Sequence, residues 1–288
     1  MKAKFKMIDL HIHSNFSDGT DSISELLAKI LESRINIFAL TDHDTITGAL
    51  KIREIIPDNI KFSHGIEFSC IANNGKCHIL GLNYDENNKY FREALNIGEN
   101  LRHEKFFKRV KLLHDKFSIT FTDKEIDSLL KIPSVGKPHL ANLIVSKGLA
   151  NNITEAIKNF INPCKTGIDR IRAELAIKAI IQSGGAAIWA HPLGGEGESE
   201  LSREKFLIIL DELISYGING LECYYSKYSL GKCESLAEIA REKNLFISGG
   251  SDYHGKNKAI PLGKLNAENI FINPEKLTIL KFLSNKGV

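Results

Sequence analysis

The stretch Asp9-Leu10-His11-Ile12-His13, followed closely by Ser17-Asp18-Gly19, combines residue types and spacing that could do chemistry. Lys6 to Leu10 is mostly apolar and reads as a buried strand, and Ser14 to Gly19 reads as the turn that ends it. Residues two apart on a strand share a face, so His11 and His13 point the same way and Ile12 points the other. Two neighbouring imidazoles can grip one divalent cation. An isolated pair of this kind is more often two hydrogen-bonded core histidines, and what tips the reading is where the other histidines and carboxylates fall.

They fall near the ends of further strands. Ile35 to Leu40 runs into Asp42-His43-Asp44, and Gly65 to Phe68 carries Glu67. Cys77 to Leu82 carries His78, Ala186 to Ala190 ends at His191, and Leu245 to Ser248 leads to Asp252 and His254. Between the strands lie helical patterns, among them Ile23–Ile30 (capped by Asp21 or Ser22), Ala173–Gln182 and Arg203–Ser215. Ligands on separate strand ends converge if the strands are parallel and curl around one axis, which is a (β/α) barrel with its site at the carboxyl-terminal mouth. About seven strands are expected. From Lys89 to Gly167 strand signals fade. Arg102–Phe117 (strongly basic), Asp123–Leu130, Pro138–Lys147 and Thr154–Phe160 read as an all-helical insert, so the barrel comprises 1–88 and 168–288 and the insert 89–167.

The whole chain narrows the classes. With 288 residues, 43% of them hydrophobic, it can bury a substantial core. A net charge of +3 gives no strong pull toward nucleic acid or membrane, and no apolar run is long enough to span a bilayer. The basic start, Met1–Lys6, leads straight into the first strand without a signal-peptide core. Five cysteines (Cys70, Cys77, Cys164, Cys223, Cys233), odd in number and without a Cys-x-x-Cys pair, favour a reducing cytoplasm over disulfides or a zinc knuckle. Cys77 lies beside His78, which leaves a supporting role open.

Imidazoles and carboxylates without thiolate suit Mn²⁺, Fe²⁺ or Zn²⁺ in a catalytic site. His11, His13, Asp18, His43, Glu67, His78, His191, Asp252 and His254 are too many for one ion and suffice for three. A carboxylate such as Glu67 can bridge two ions, and paired ions activate water and clamp the oxygens of an in-line displacement. That chemistry is phosphate-ester hydrolysis more often than amide hydrolysis. His64, His103 and His114 are read as solvated or core histidines, and Asp42 and Asp44 as supports for His43.

Six segments, Asp9–Gly19 (DLHIHSNFSDG), Ala39–Thr45 (ALTDHDT), Gly65–Ser69 (GIEFS), Cys77–Gly81 (CHILG), Ala187–Pro192 (AIWAHP) and Gly250–Gly255 (GSDYHG), resemble the PHP family in its own order. These are the polymerase-and-histidinol-phosphatase phosphoesterases. The likeness is closest to a branch with a helical insert, whose members remove the 3′-phosphate of nucleoside 3′,5′-bisphosphates, such as adenosine 3′,5′-bisphosphate to AMP, or trim RNA from its 5′ end. The resemblance implies a distorted (β/α)7 TIM-like barrel (PHP domain), an insert capping the active site and three divalent ions. By position, His11 and His13 would hold the first ion with Glu67 and Asp252. Glu67 would bridge to a second held by His78 and His191, and Asp18, His43 and His254 would hold the third. Arg102, Arg109, Lys137 and His139 match basic positions of the branch and would grip phosphate or nucleotide over the barrel mouth.

One segment departs from the branch. Relatives often follow the His191-Pro192 turn with an Arg-Tyr type sequence, and here Leu193-Gly194-Gly195-Glu196-Gly197 stands, with Glu196 and Glu198 adding negative charge nearby. The expected substrate is a small nucleotide or a phosphorylated RNA 5′ end and the expected product inorganic phosphate, with neither a membrane nor an obligate protein partner in evidence. A histidinol-phosphate phosphatase is the alternative within the class. A metal-dependent amidohydrolase, which commonly bridges its ions through a mid-barrel lysine where this chain has Glu67, and a non-catalytic metal-binding module are alternatives outside it.

Overall fold

The computed structural model describes residues 7–167, 169–195 and 199–288; Glu196 and Glu198, expected to bring negative charge beside His191, lie with Gly197 outside the described residues. Among the described residues eight strands are present: β1 (Met7–Ile12), β2 (Ile35–Leu40), β3 (Lys61–Ala72), β4 (Gly75–Leu82), β5 (Ile171–Arg172), β6 (Ala186–Trp189), β7 (Gly220–Tyr225) and β8 (Phe246–Gly250). Seven form one continuous path, β1-β2-β3-β4-β6-β7-β8, and the two-residue β5 pairs with the far end of β3. The path closes on itself. Ile12 pairs in parallel with Tyr253, His13 N donates to Tyr253 O at 2.9 Å, and Asp252 N donates to His11 O at 2.9 Å. The seam is tight, since a Cβ at Gly250 would overlap His11 Cβ. The result is the expected α/β barrel of the distorted TIM-like type.

One premise of the sequence reading fails. β1, β2, β3, β6, β7 and β8 pair in parallel where they adjoin, but β4 runs antiparallel to both β3 and β6. β3 and β4 form a hairpin whose turn, Asn73-Asn74, is held by the Glu212 carboxylate through backbone N–H bonds of 2.6 and 2.9 Å. His78 therefore lies in the first half of its strand rather than at its carboxyl end. It reaches the common rim because the start of an antiparallel strand lies level with the ends of its parallel neighbours. Glu67 likewise sits inside β3, which continues past it into the hairpin.

Helices α1 (Ile23–Glu32), α2 (Thr47–Arg53), α7 (Ala173–Gln182), α8 (Arg203–Ser215), α9 (Leu230–Glu242) and α10 (Ile279–Asn285) belong to the barrel portion. Ser22 caps α1 in a capping box with Glu25, and Leu26, Leu27 and Ile30 turn its apolar stripe inward.

The long helix α3 (Lys89–Phe117), with α4 (Asp123–Leu130), α5 (Lys137–Ser146) and α6 (Ile153–Ala156, running into a π-turn over Ile157–Ile161), makes up the middle of the chain. α3 starts at Lys89, well ahead of the basic stretch that signalled it, because the Asn88 side chain accepts from Tyr90 N at 3.0 Å and Phe91 N at 3.4 Å. It serves two cores. Phe91, Ala94 and Leu95 pack into the barrel, whereas Phe106 and Leu113 pack with Leu129, Leu140, Ile144 and Ile161. No helix among the described residues is long and apolar enough to cross a membrane. All five cysteines are free and buried.

Candidate metal centre

β1 ends by pointing His11 and His13 at the barrel mouth, both fully buried. The following turn carries Asp18 and is pinned by Asp42. Ser14 N donates to its Oδ1 at 2.8 Å, and the Ser14 and Ser17 hydroxyls donate to its two oxygens at 2.6 Å each. Asp42 thus supports Asp18 rather than its neighbour His43. Asp44 faces the insert, where Arg102 grips its Oδ2 through Nε at 2.9 Å and Nη2 at 2.7 Å. Asp44, His191 and Asp252, all at strand ends of the site, have φ values of 49°, 32° and 59°, the left-handed region that ordinary residues avoid.

Glu67 lies at the centre, and its two oxygens face different partners. Oε1 stands 2.9 Å from His78 Nδ1 and 3.2 Å from His191 Nε2. Oε2 stands 3.0 Å from His43 Nδ1, 3.2 Å from His13 Nε2 and 3.3 Å from His11 Nε2. Asp252 Oδ1 is 3.4 Å from His13 Nε2 and 3.6 Å from His11 Nε2. Asp18 is 3.1 Å from His254 Nε2 and 3.8 Å from His43 Nε2. All nine side chains singled out in the sequence meet in this one place. Among the described residues three groups of donor atoms lie within 4.8 Å of one another: His13, Asp18, His43 and His254; His11, His13 and Asp252; and His43, Glu67 and His78.

The electrostatics ask for cations. Burial opposes charge on each carboxylate, yet His43 and His254 hold Asp18, His43 and His11 hold Glu67, and Lys258 and His254 hold Asp252 well below the ordinary range. Burial would equally strip His11 of its proton, but Glu222, Glu67 and Asp252 keep it well above its usual value. Burial wins at His78, which falls to about 4. Glu67 Oε2, Asp18 Oδ1 and His43 Nδ1 are buried without a well-formed hydrogen bond. Crowded imidazoles around ionised carboxylates with such orphaned atoms fit divalent cations, which satisfy lone pairs and charge together.

The four positions assigned to the insert divide. Arg102 is committed to Asp44 and to Ser69 Oγ at 2.9 Å. Lys137 bonds Asn162 Oδ1 at 2.8 Å, and His139 Nδ1 accepts from Gly136 N at 2.8 Å. Gly136 brings this turn against the barrel, where a Cβ would stand 3.3 Å from Asp18 Cβ. Arg109 is buried and its Nε makes no hydrogen bond.

The sequence reading missed several residues. Glu222 on β7 accepts from His11 Nδ1 at 2.9 Å and from His191 N at 2.7 Å, and so orients two rings. Its signal was available: a lone acid inside the apolar strand Gly220–Tyr225. Asp9 joins the seam by accepting from Ser251 N and Gly263 N, both at 2.8 Å. Lys105 and Arg170 line a small cleft with Arg102, Asp44 and Asp169. Arg170 Nη1 is buried and unbonded. Cys77 packs in the hairpin opposite Cys70, away from the cluster. His64 bonds Arg53 and Glu86 rather than the site.

Comparison with known proteins decides the family. The PHP domain profile matches residues 9–163. The chain belongs to the PHP domain family. It is 30% identical over 270 residues to a 5′-3′ exoribonuclease from Haemophilus influenzae, covering 90% of this chain and 94% of that one. It is 26% identical over 259 residues to a 3′,5′-nucleoside bisphosphate phosphatase from Chromobacterium violaceum, covering 86% and 87%. An amidohydrolase from Chromobacterium violaceum, solved with bound sulfate, has the same fold with a TM-score of 0.82 at 23% identity, covering 97% of this chain and 96% of that one. As a PHP protein the chain is a metal-dependent phosphoesterase.

Proposed function

We propose that the cluster holds three divalent cations, of the Mn²⁺, Fe²⁺ or Zn²⁺ type, and hydrolyses phosphate esters of nucleotides. The substrate would be the 3′-phosphate of a nucleoside 3′,5′-bisphosphate or the 5′ end of a short RNA. The observation that carries the reading is Glu67, whose two oxygens face separate sets of imidazoles, as a carboxylate shared between ions requires. His11, His13 and Asp252 would hold one ion with Glu67, Glu67 with His78 and His191 a second, and Asp18, His43 and His254 a third.

When bound, such ions supply an acidified water and a positive field for the nonbridging oxygens of the phosphate. The protein does the rest. Glu222 fixes the tautomer and tilt of His11 by accepting from its Nδ1. Arg109, buried without a hydrogen bond at Nε, and Arg170, unbonded at Nη1, await an anion, and a phosphate away from the reacting one would supply it. Lys105 lines the same wall as Arg170 and adds charge there. The turn that carries Lys137 and His139 abuts Asp18, where it would limit access of bulk water to the rim. The activities of the two relatives, one on nucleoside bisphosphates and one on RNA, support a nucleotide substrate.

The test is a panel of adenosine 3′,5′-bisphosphate, 5′-phosphorylated oligoribonucleotides and histidinol phosphate on Mn²⁺-reconstituted protein. Turnover of a nucleotide substrate, abolished by His11→Ala, is the expected result. Preference for histidinol phosphate, or activity untouched by His11→Ala, overturns the reading.

A further inference from the structure

Asp252 differs from the other cluster carboxylates in how its outer oxygen is used. Oδ1 faces the imidazoles, whereas Oδ2 accepts from the Tyr225 hydroxyl at 3.0 Å and from the Lys258 ammonium at 2.6 Å. Tyr225 is fully buried on β7, and the Lys258 side chain is only 19% exposed. The position of Lys258 is built in. It follows the turn Gly255–Asn257, in which Gly255 has φ +63° and a Cβ would overlap Thr20 Oγ1. Lys256 N donates to Thr20 Oγ1 at 2.8 Å, and Asn257 Nδ2 donates to Asp18 O at 2.7 Å. The ammonium is therefore delivered by a loop tied to the Asp18 turn, not by a free surface arm.

A carboxylate with both oxygens open can chelate a cation through both. One whose second oxygen already accepts two hydrogen bonds offers a single donor. The ammonium also places a fixed positive charge against the ligand, and at protein-like effective dielectric such a charge repels a nearby divalent ion strongly. We infer that Lys258, with Tyr225, restricts Asp252 to one-oxygen coordination and loosens the ion it shares with His11 and His13. That ion is then the exchangeable member of the set. A phosphate arriving beside the ammonium offsets the repulsion, so substrate and this ion bind cooperatively. The inference rests on the metal reading above.

The experiment titrates metal-free protein with Mn²⁺ by calorimetry and counts bound ions, for wild type, Lys258→Met, Lys258→Gln, Lys258→Arg and Tyr225→Phe. Removing the charge with Met or Gln should tighten the weakest step by about tenfold or more, while Arg, which keeps the charge, should stay within about threefold of wild type. Tyr225→Phe, which leaves Lys258 in place, should shift it less than Met does. Inorganic phosphate should tighten the weakest step in wild type and much less in the Met and Gln variants. Equal or weaker binding in the Met or Gln variant overturns the inference, as does an Arg variant that tightens as much as Met. Should the Met variant not fold, the Gln variant, which retains a donor to Oδ2, carries the test. Wild type that takes up no Mn²⁺ at all overturns the metal reading itself, a result distinct from an unchanged ratio between variants.

Discussion

At the barrel rim imidazoles and one ammonium crowd the carboxylates: Glu67 contacts five imidazoles, Asp252 meets Lys258, and Asp18 meets His254. On the insert side, Arg102 has Asp44 and Lys105 has Asp169 at 2.9 Å, but Arg109 is buried with an unbonded Nε. Both regions keep buried polar atoms without a hydrogen bond, Glu67 Oε2 and Asp18 Oδ1 at the rim and Arg109 Nε and Arg170 Nη1 on the other side, so the first suits cations and the second an anion. On the reading proposed above, the chemistry would rest with the barrel and selectivity with the insert.

The largest expected effect comes from breaking the rim at its centre. Glu67→Gln should lower kcat/KM by on the order of 10³-fold or more and reduce the number of bound ions, read by steady-state kinetics and elemental analysis. Arg109→Met should raise KM for a phosphorylated nucleotide roughly 10- to 100-fold, with kcat little changed. Burial opposes this guanidinium's charge more than Asp169 favours it, so its removal should also leave the unfolding midpoint unchanged or higher, and a clear fall in that midpoint would show that Arg109 is structural instead.

Lys105 gives a smaller, pH-dependent effect. Burial, reinforced by Arg170, pushes its ammonium down to about 8, against the pull of Asp169. Below that value it is charged and attracts phosphate, and above it the charge is lost. KM should therefore rise as pH increases through about 8, by a few-fold, and Lys105→Met should flatten that rise. Stability runs the other way. The unfolded chain binds this proton more tightly than the folded one, so this group's contribution grows with pH above about 8. The smallest change in catalysis is expected at Arg102. Arg102→Lys loses the two-pronged grip on Asp44, costing about 1–3 kcal/mol in urea unfolding while kcat/KM moves only a few-fold.

These contrasts follow what was legible beforehand. His11 and His13 could be read because strand alternation alone places both on one face. His78 is legible as a ligand from its residue type, but its antiparallel strand is not, since nothing local in Cys77–Leu82 reveals strand direction. Glu222 was readable as an acid in an apolar strand, but its partners come from β1 and the end of β6 and are not encoded nearby. Lys258 resembles a surface lysine until the Gly255 turn is seen docked on Thr20. The burial of Arg109 was hidden because α3 packs its two halves on different cores, so its apolar residues form no single stripe.

The hairpin carrying Glu67 and His78 needs only the Asn73-Asn74 turn to close, whereas Asp9 and Ser251, whose hydrogen bond flanks His11 and Asp252, are separated by 242 residues. Two of the nine ligands are thus brought together by neighbours in the chain, a rapid event by the relation between loop length and folding speed. The grouping of His11 and His13 with Asp252 and His254 exists only once the first and last strands have met. An ion captured by the nascent polypeptide would find a partial cradle, so completion of the cluster reports that the barrel has shut.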